Sequence, residues 1–314
     1  MEPIIKVRDL AWVRLRSPDL DVQEQFLTAF GLGLAERTAD KLFMRGTDGE
    51  HHLHITEKGP AKVLAIAYHA ESAADLARLA REAGATVQPL NEPGGGDVVR
   101  LVEPNGYTIE VVHGVAKVAS IPVETIKLNS GAERRRLGDL MRVDVKPSRV
   151  KRIGHAVLST PEVEKTALWF RRHLGFVATD EVHVDGDPTT LVASFNRMDH
   201  GSDYVDHHVA MFARYKKPGF NHVSYEVQDL DDLQCGHEHL GAKGYNHLWG
   251  IGRHLLGSQI FDYWQDPWGR VHEHWTDSDL VNDTHQYRKV PPAQGLRSQW
   301  GPGAPQAFRD AAAD

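Results

Sequence analysis

Cysteine is almost absent. Cys235 stands alone among 314 residues, so the chain can form no internal disulfide and no zinc site built on thiolates. Long apolar runs are missing too. No stretch approaches the ~20 residues that a bilayer-spanning helix needs, and Met1-Glu-Pro-Ile-Ile-Lys6 lacks the apolar core of a secretory leader. The expectation is a cytoplasmic protein with no membrane partner. Positive charge is not in excess either: 36 Lys and Arg against 43 Asp and Glu leave −7, which gives no electrostatic basis for binding nucleic acid. What remains is a globular composition, 41% hydrophobic and 25% charged, long enough for two domains that each bury a core. Against this background, 19 histidines stand out.

The chain repeats itself. Leu10-Ala-Trp-Val-Arg-Leu-Arg-Ser-Pro-Asp-Leu20 aligns without gaps on Ile153-Gly-His-Ala-Val-Leu-Ser-Thr-Pro-Glu-Val163. Each reads as a strand running through Ser or Thr and Pro into a helix, with Thr160 as cap, Pro161 at the first helical position and Gly175 as terminator. The helix after Pro161 presents Val163, Ala167, Phe170 and Leu174 on one face, and its earlier counterpart Val22, Phe26, Leu27 and Phe30. Next, Val63-Leu-Ala-Ile-Ala-Tyr68 parallels Phe220-Asn-His-Val-Ser-Tyr225. Both lead into a second amphipathic helix, bearing Leu76, Leu79, Ala80 and Ala83 in one copy and Leu230, Leu233, His237 and Leu240 in the other. Last, Glu103-Pro-Asn-Gly-Tyr-Thr-Ile-Glu110 parallels Asp266-Pro-Trp-Gly-Arg-Val-His-Glu273.

Three matches in the same order imply two copies of one α+β domain, each with two strand-helix-strand units. The divisions are residues 1–115, a linker over 116–148 that carries Glu133-Arg-Arg-Arg136, a second domain over 149–282, and a Gly/Pro-rich tail over 283–314 that reads as irregular, either a frayed end or a segment folded back over the second domain. The linker and tail are the expected contacts of a homo-oligomer.

Chemistry is concentrated in the second copy. The stretch Phe261–Trp275 reads as strand, Asp266-Pro-Trp-Gly269 turn, strand, and alternation along the strand turns Glu273 away from His272 and His274. At the matched positions the second copy carries His155, His222 and Glu273, whereas the first carries Trp12, Ala65 and Glu110. Only the second can bind a metal through all three. Two imidazoles and one carboxylate on three strands leave about three positions of an octahedral ion open, enough for a chelating substrate and a further small ligand. Iron(II), manganese and zinc all accept such a set.

The motifs Gly154-His155-Ala-Val-Leu, Asn221-His222-Val-Ser-Tyr-Glu-Val and Gly269-Arg-Val-His-Glu273 resemble those of the type I extradiol ring-cleaving dioxygenases of the vicinal oxygen chelate superfamily. The resemblance extends over nearly the whole chain. It implies four βαβββ modules, paired into two open barrels, with Fe(II), or Mn(II), held by His155, His222 and Glu273 in the C-terminal one. It also implies an aromatic diol and O2 as the small molecules bound. His208 is then the residue that handles oxygen, stabilising negative charge and donating a proton, with His207 the fallback. His254 and Tyr263 contact the substrate oxygens, and His254 manages the diol proton.

The expected substrate is a monocyclic catechol or trihydroxybenzene, cleaved beside the diol. Trp249 and Trp264 are candidate neighbours of its ring, and Arg253 and Arg297 candidate partners for a substrate carboxylate. Two rivals are a lyase, isomerase or keto-acid dioxygenase with the same metal triad, and a metal-free ligand-sequestering protein, in which the triad should be broken.

Overall fold

A computed structural model describes residues 2–311. The first half runs β1 (Val7–Ser17), α1 (Leu20–Phe30), β2 (Gly33–Arg37), β3 (Lys41–Arg45), β4 (His54–Lys58), β5 (Lys62–Ala70), α2 (Ala73–Ala83), β6 (Gln88–Pro89), β7 (Asp97–Val102) and β8 (Thr108–His113). The second runs β9 (Arg152–Thr160), α3 (Val163–Leu174), β10 (Val177–Val184), β11 (Asp187–Arg197), β12 (Val205–Asp206), β13 (Ala210–Arg214), β14 (Gly219–Glu226), α4 (Leu230–Ala242), β15 (Asn246–His254), β16 (Ile260–Gln265), β17 (Val271–Thr276) and β18 (Leu280–Val281). The tail adds β19 (Arg288–Val290), β20 (Ser298–Trp300) and α5 (Gln306–Asp310).

Sheet order carries the repeat into three dimensions. The first sheet is β2-β3-β4-β1-β5-β8-β7-β6 and the core of the second is β10-β11-β13-β9-β14-β17-β16-β15. Each is a pair of βαβββ modules joined along the antiparallel pairs β1–β5 and β9–β14. Register agrees as well. Trp12 lies opposite Ala67 and Ala67 opposite Glu110, just as His155 lies opposite Ser224 and Ser224 opposite Glu273. Residues paired across strands share a face, so the equivalent positions of both halves project inward together.

The amphipathic helices pack much as their periodicity predicts, with local differences. In α3, Val163, Ala167, Phe170 and Leu174 are buried and Gly175 ends the helix at φ +76°. It starts later than expected: Glu162 occupies the N-cap, and the Thr160 hydroxyl accepts from the Glu162 amide at 3.0 Å, because Thr160 itself still belongs to β9. In α1, Val22 is exposed while Gln23 is buried. In α4, Leu230 is exposed and His237 turns toward β16.

The halves interlock through α1. Phe26 and Phe30 pack edge-on against His272 of β17, and His274 stacks on Phe30 with its Nε2 2.6 Å from the Phe30 carbonyl. Buried Arg270 pairs with Asp266 at 2.7 Å and donates to the Arg16 carbonyl, Ser17 Oγ and Gln23 Oε1. Residues 114–151 form no helix or strand beyond an isolated bridge between Asn129 and Arg134.

The tail folds back over the second domain, the second of the two alternatives. β19 pairs with β10 and β20 with β15, so its short strands cap the two open edges of the second sheet. An open edge presents unpaired amides and carbonyls that extended chain can satisfy whatever its composition.

Candidate metal centre

His155 on β9, His222 on β14 and Glu273 on β17 converge, and all three are buried. His155 Nε2 lies 2.9 Å and His222 Nε2 3.4 Å from Glu273 Oε2, with the two nitrogens 3.2 Å apart. His222 Nδ1 is held by the Asn221 side chain at 2.7 Å, which aims Nε2 inward. Burial pushes the His155 imidazole below its ordinary range, so the ring is neutral and offers a lone pair. Burial also works to raise the Glu273 carboxyl, but the facing imidazoles, His155 foremost, outweigh it and hold the group well below the usual range. Neither Glu273 oxygen receives a well-directed hydrogen bond, although the residue is fully buried. Two imidazole nitrogens and a carboxylate brought together in a buried pocket are a donor set that fits a divalent metal.

The same position in the first half has another answer. Glu110 accepts from Trp12 Nε1 at 3.0 Å, from Arg14 Nε at 3.3 Å and Nη2 at 3.2 Å, and from Arg100 Nε at 3.0 Å. Guanidinium groups neutralise the carboxylate where the second half leaves an opening.

Around the triad, the remaining expected residues assemble. The His208 ring lies 4.4 Å from that of His155, and burial pushes its pKa well down. His207 turns away: its Nε2 contacts buried Asp180 at 2.9 Å and its Nδ1 contacts His208 Nδ1 at 3.1 Å. The two precede β13 rather than lying within it, and their rings are nearly perpendicular. On the other side, the Tyr263 hydroxyl is 2.9 Å from His254 Nε2, which lies 3.6 Å from Glu273 Oε1. Burial beside Glu273 raises the Tyr263 phenol well above its ordinary pKa and keeps it protonated.

Other candidates fall elsewhere. Arg253 points outward to Asp277 at 2.7 Å and to the Trp300 ring, and Arg297 is exposed. Trp249 stacks on Tyr263 at 5.2 Å, but Trp264 lies across the sheet, donating to Asp262, because adjacent residues of β16 face opposite ways.

Three features escaped sequence reasoning. Phe308 of α5 packs 4.7 Å from Tyr263, 4.8 Å from Trp249 and 6.1 Å from His222, roofing the centre from the tail. Asp180, itself paired with Arg288 of the tail, anchors His207. Finally, Glu50-His51-His52-Leu53 corresponds to Asp206-His207-His208-Val209. The amide of Val13 donates to Leu53 as that of Ala156 does to Val209, and each histidine pair has an Nδ1–Nδ1 distance of 3.1 Å. The doubled histidine was a legible fourth match of the repeat. A separate cavity of about 490 Å³, lined by Asp9, Glu50, Arg152 and Asp206, lies between the halves and contains no residue of the triad.

Paired βαβββ modules with an inward-facing cluster of two histidines and a glutamate define the vicinal oxygen chelate class of fold. Residues 152–273 match the Glyoxalase/Bleomycin resistance protein/Dioxygenase superfamily. The chain is 30% identical to metapyrocatechase 2 of Cupriavidus necator, over 94% of this chain and 89% of that one. It is 22% identical to an iron-dependent extradiol dioxygenase of Rhodococcus jostii (strain RHA1), over 95% and 97%. Among solved structures, a Mn(II)-bound glyoxalase from Novosphingobium aromaticivorans superimposes with a TM-score of 0.78 at 28% identity, over 96% and 94%. The chain belongs to the extradiol ring-cleaving dioxygenases of this superfamily.

Proposed function

We propose that residues 149–282 form the catalytic unit, binding Fe(II) through His155, His222 and Glu273, and that residues 1–115 are its metal-free counterpart. The reaction proposed is cleavage of a substituted catechol or trihydroxybenzene beside the diol, with both atoms of O2 entering the product. The observation carrying this reading is the contrast between Glu110, neutralised by Arg14 and Arg100, and Glu273, buried without a well-directed donor. When bound, the metal would supply Lewis acidity for a chelated diol and a coordination position for dioxygen.

The side chains around it have separable roles. Held at Nδ1 by His207 and with its ring 4.4 Å from that of His155, His208 is neutral and can first accept a proton from the diol, then as the imidazolium stabilise negative charge on oxygen and return that proton. His254 is suited to take up a diol proton, and protonated Tyr263 to donate a hydrogen bond to a substrate oxygen. Trp249, Tyr263 and Phe308 present an aromatic wall that favours a flat ring and excludes water. Neither Arg253 nor Arg297 supports a carboxylated substrate.

A second reading, a glyoxalase-type isomerase, draws on the Mn(II)-bound glyoxalase likeness. It uses the triad but has no need of the His208, His254 and Tyr263 set. The test is metal analysis, then anaerobic titration of a catechol panel into Fe(II)-loaded protein and admission of air. Uptake of one O2 per substrate with a yellow ring-opened product is expected. Iron bound at the centre without oxygen uptake across the panel would favour the isomerase.

A further inference from the structure

A second cluster of two histidines and one carboxylate lies across the β15–β16 hairpin from the first. We propose that His237, His247 and Asp262 form a second metal site, suited to Zn(II). Asp262 sits on β16 between Phe261 and Tyr263, so its side chain leaves the sheet on the face opposite Tyr263, and it is fully buried. His237 comes from α4, its Nδ1 3.1 Å from both carboxylate oxygens; His247 comes from β15, its Nε2 2.8 Å from Oδ1. One donor atom from each of the three residues falls within 4.8 Å of the others, the compactness that also describes His155, His222 and Glu273.

Three further observations fit a cation held between these side chains. The imidazole rings stand 4.8 Å apart and almost perpendicular, both directed at one carboxylate, as ligands around a common point must be. Trp264 Nε1 donates to Asp262 Oδ2 at 2.5 Å and fixes that group from behind, the outer-shell support that metal-binding carboxylates characteristically receive. Both histidine side chains are about one-third exposed, at 29% and 32%, so solvent reaches the open side of the cluster. That opening gives an ion its entry path and a place for a water as fourth ligand. Tetrahedral zinc, with bonds of about 2.0–2.1 Å to nitrogen and oxygen, sets its ligand atoms roughly 3.4 Å apart, somewhat wider than the 3.1 and 2.8 Å between the two histidine nitrogens and the Asp262 carboxylate.

The site would act as a clip. It ties α4 to the hairpin that carries His254 on β15 and Tyr263 on β16, the two residues beside Glu273. Zinc there holds the wall of the first centre without touching it.

Counting zinc equivalents on the full-length chain tests this. Chelator-treated protein is expected to take up two Zn(II) per chain; the His155→Ala/His222→Ala variant one; the His237→Gln/His247→Gln variant one; and the fourfold variant none. In the His155→Ala/His222→Ala background, Zn(II) should raise the midpoint of thermal unfolding, and adding only His247→Gln should remove that rise. This single change at a partly exposed side chain guards against a double variant that fails to fold. Equal uptake and equal thermal shift with and without His237 and His247 would overturn the proposal. A fault in the first centre reads out separately, as zinc uptake unaffected by His155 and His222.

Discussion

Glu110 and Glu273 occupy the same place in two copies of one module, and their neighbours decide what each can do. Arg14 and Arg100 supply fixed positive charge to the first; His155 and His222 face the second with ring nitrogens 2.9 and 3.4 Å from its carboxylate. Restoring the first copy's solution at one position should therefore remove the metal but keep the fold. His222→Ala copies Ala65, which is buried in β5. The expected loss of metal affinity exceeds the roughly 10–100-fold cost of removing an outer-shell partner, with circular dichroism unchanged. Stoichiometric metal in this variant would take His222 off the ligand set. The same local logic separates His207 from His208: Asp180 captures one ring, and the other is left facing His155.

At the scale of elements, the β16–β17 hairpin does most to shape the centre. Its turn closes with the Gly269 amide donating to the Asp266 carbonyl at 2.9 Å, and Gly269 adopts φ +82°, a conformation that favours glycine. That closure sets Tyr263 opposite Glu273. A shift of one residue would turn both away. The five-residue α5 is too short to be stable alone and depends on Phe308 packing against Trp249 and Tyr263. An aromatic contact of this kind contributes about 0.5–1.5 kcal/mol beyond area burial. Phe308→Ala should accordingly raise KM for the diol roughly two- to tenfold while metal content stays the same. Steady-state kinetics on metal-saturated protein check it, and an unchanged KM would mean that the roof does not help retain substrate.

For the molecule as a whole, the junction between halves is rich in buried histidine. His54 of β4 reaches Tyr225 of β14 at 2.7 Å, and burial lowers His54 and His52 from an ordinary 6.5 to about 3. Both are neutral when folded and take up protons near pH 6.5 once unfolded, so the unfolded state binds more protons between about pH 6.5 and 3. Stability is then fully present above pH 6.5 and falls as pH drops through that window. Asp9, raised to about 6 by burial, opposes the trend between about pH 6 and 3.8, one group against two. Thermal unfolding between pH 7 and 4.5, above most carboxylate titration, should show a falling midpoint, with a smaller slope in His54→Gln. A flat profile would show that these histidines are not held neutral.

The internal repeat, the two-residue alternation of strands and the family resemblance of three short motifs made His155, His222 and Glu273 legible in the sequence, because each is read along the chain without knowing what packs against it. The helix faces and the Asp266–Gly269 turn were legible for the same reason. The capture of His207 by Asp180, the outward turn of Arg253, the separation of Trp249 from Trp264 and the roof formed by Phe308 depended on what lay across a sheet or came back from a distant segment. The cluster of His237, His247 and Asp262 joins a helix to two strands on the far face of the hairpin, and no periodicity connects those positions. Which strand edge a tail covers, and which carboxylate a histidine meets, follow from long-range packing, and only the tertiary structure decided them.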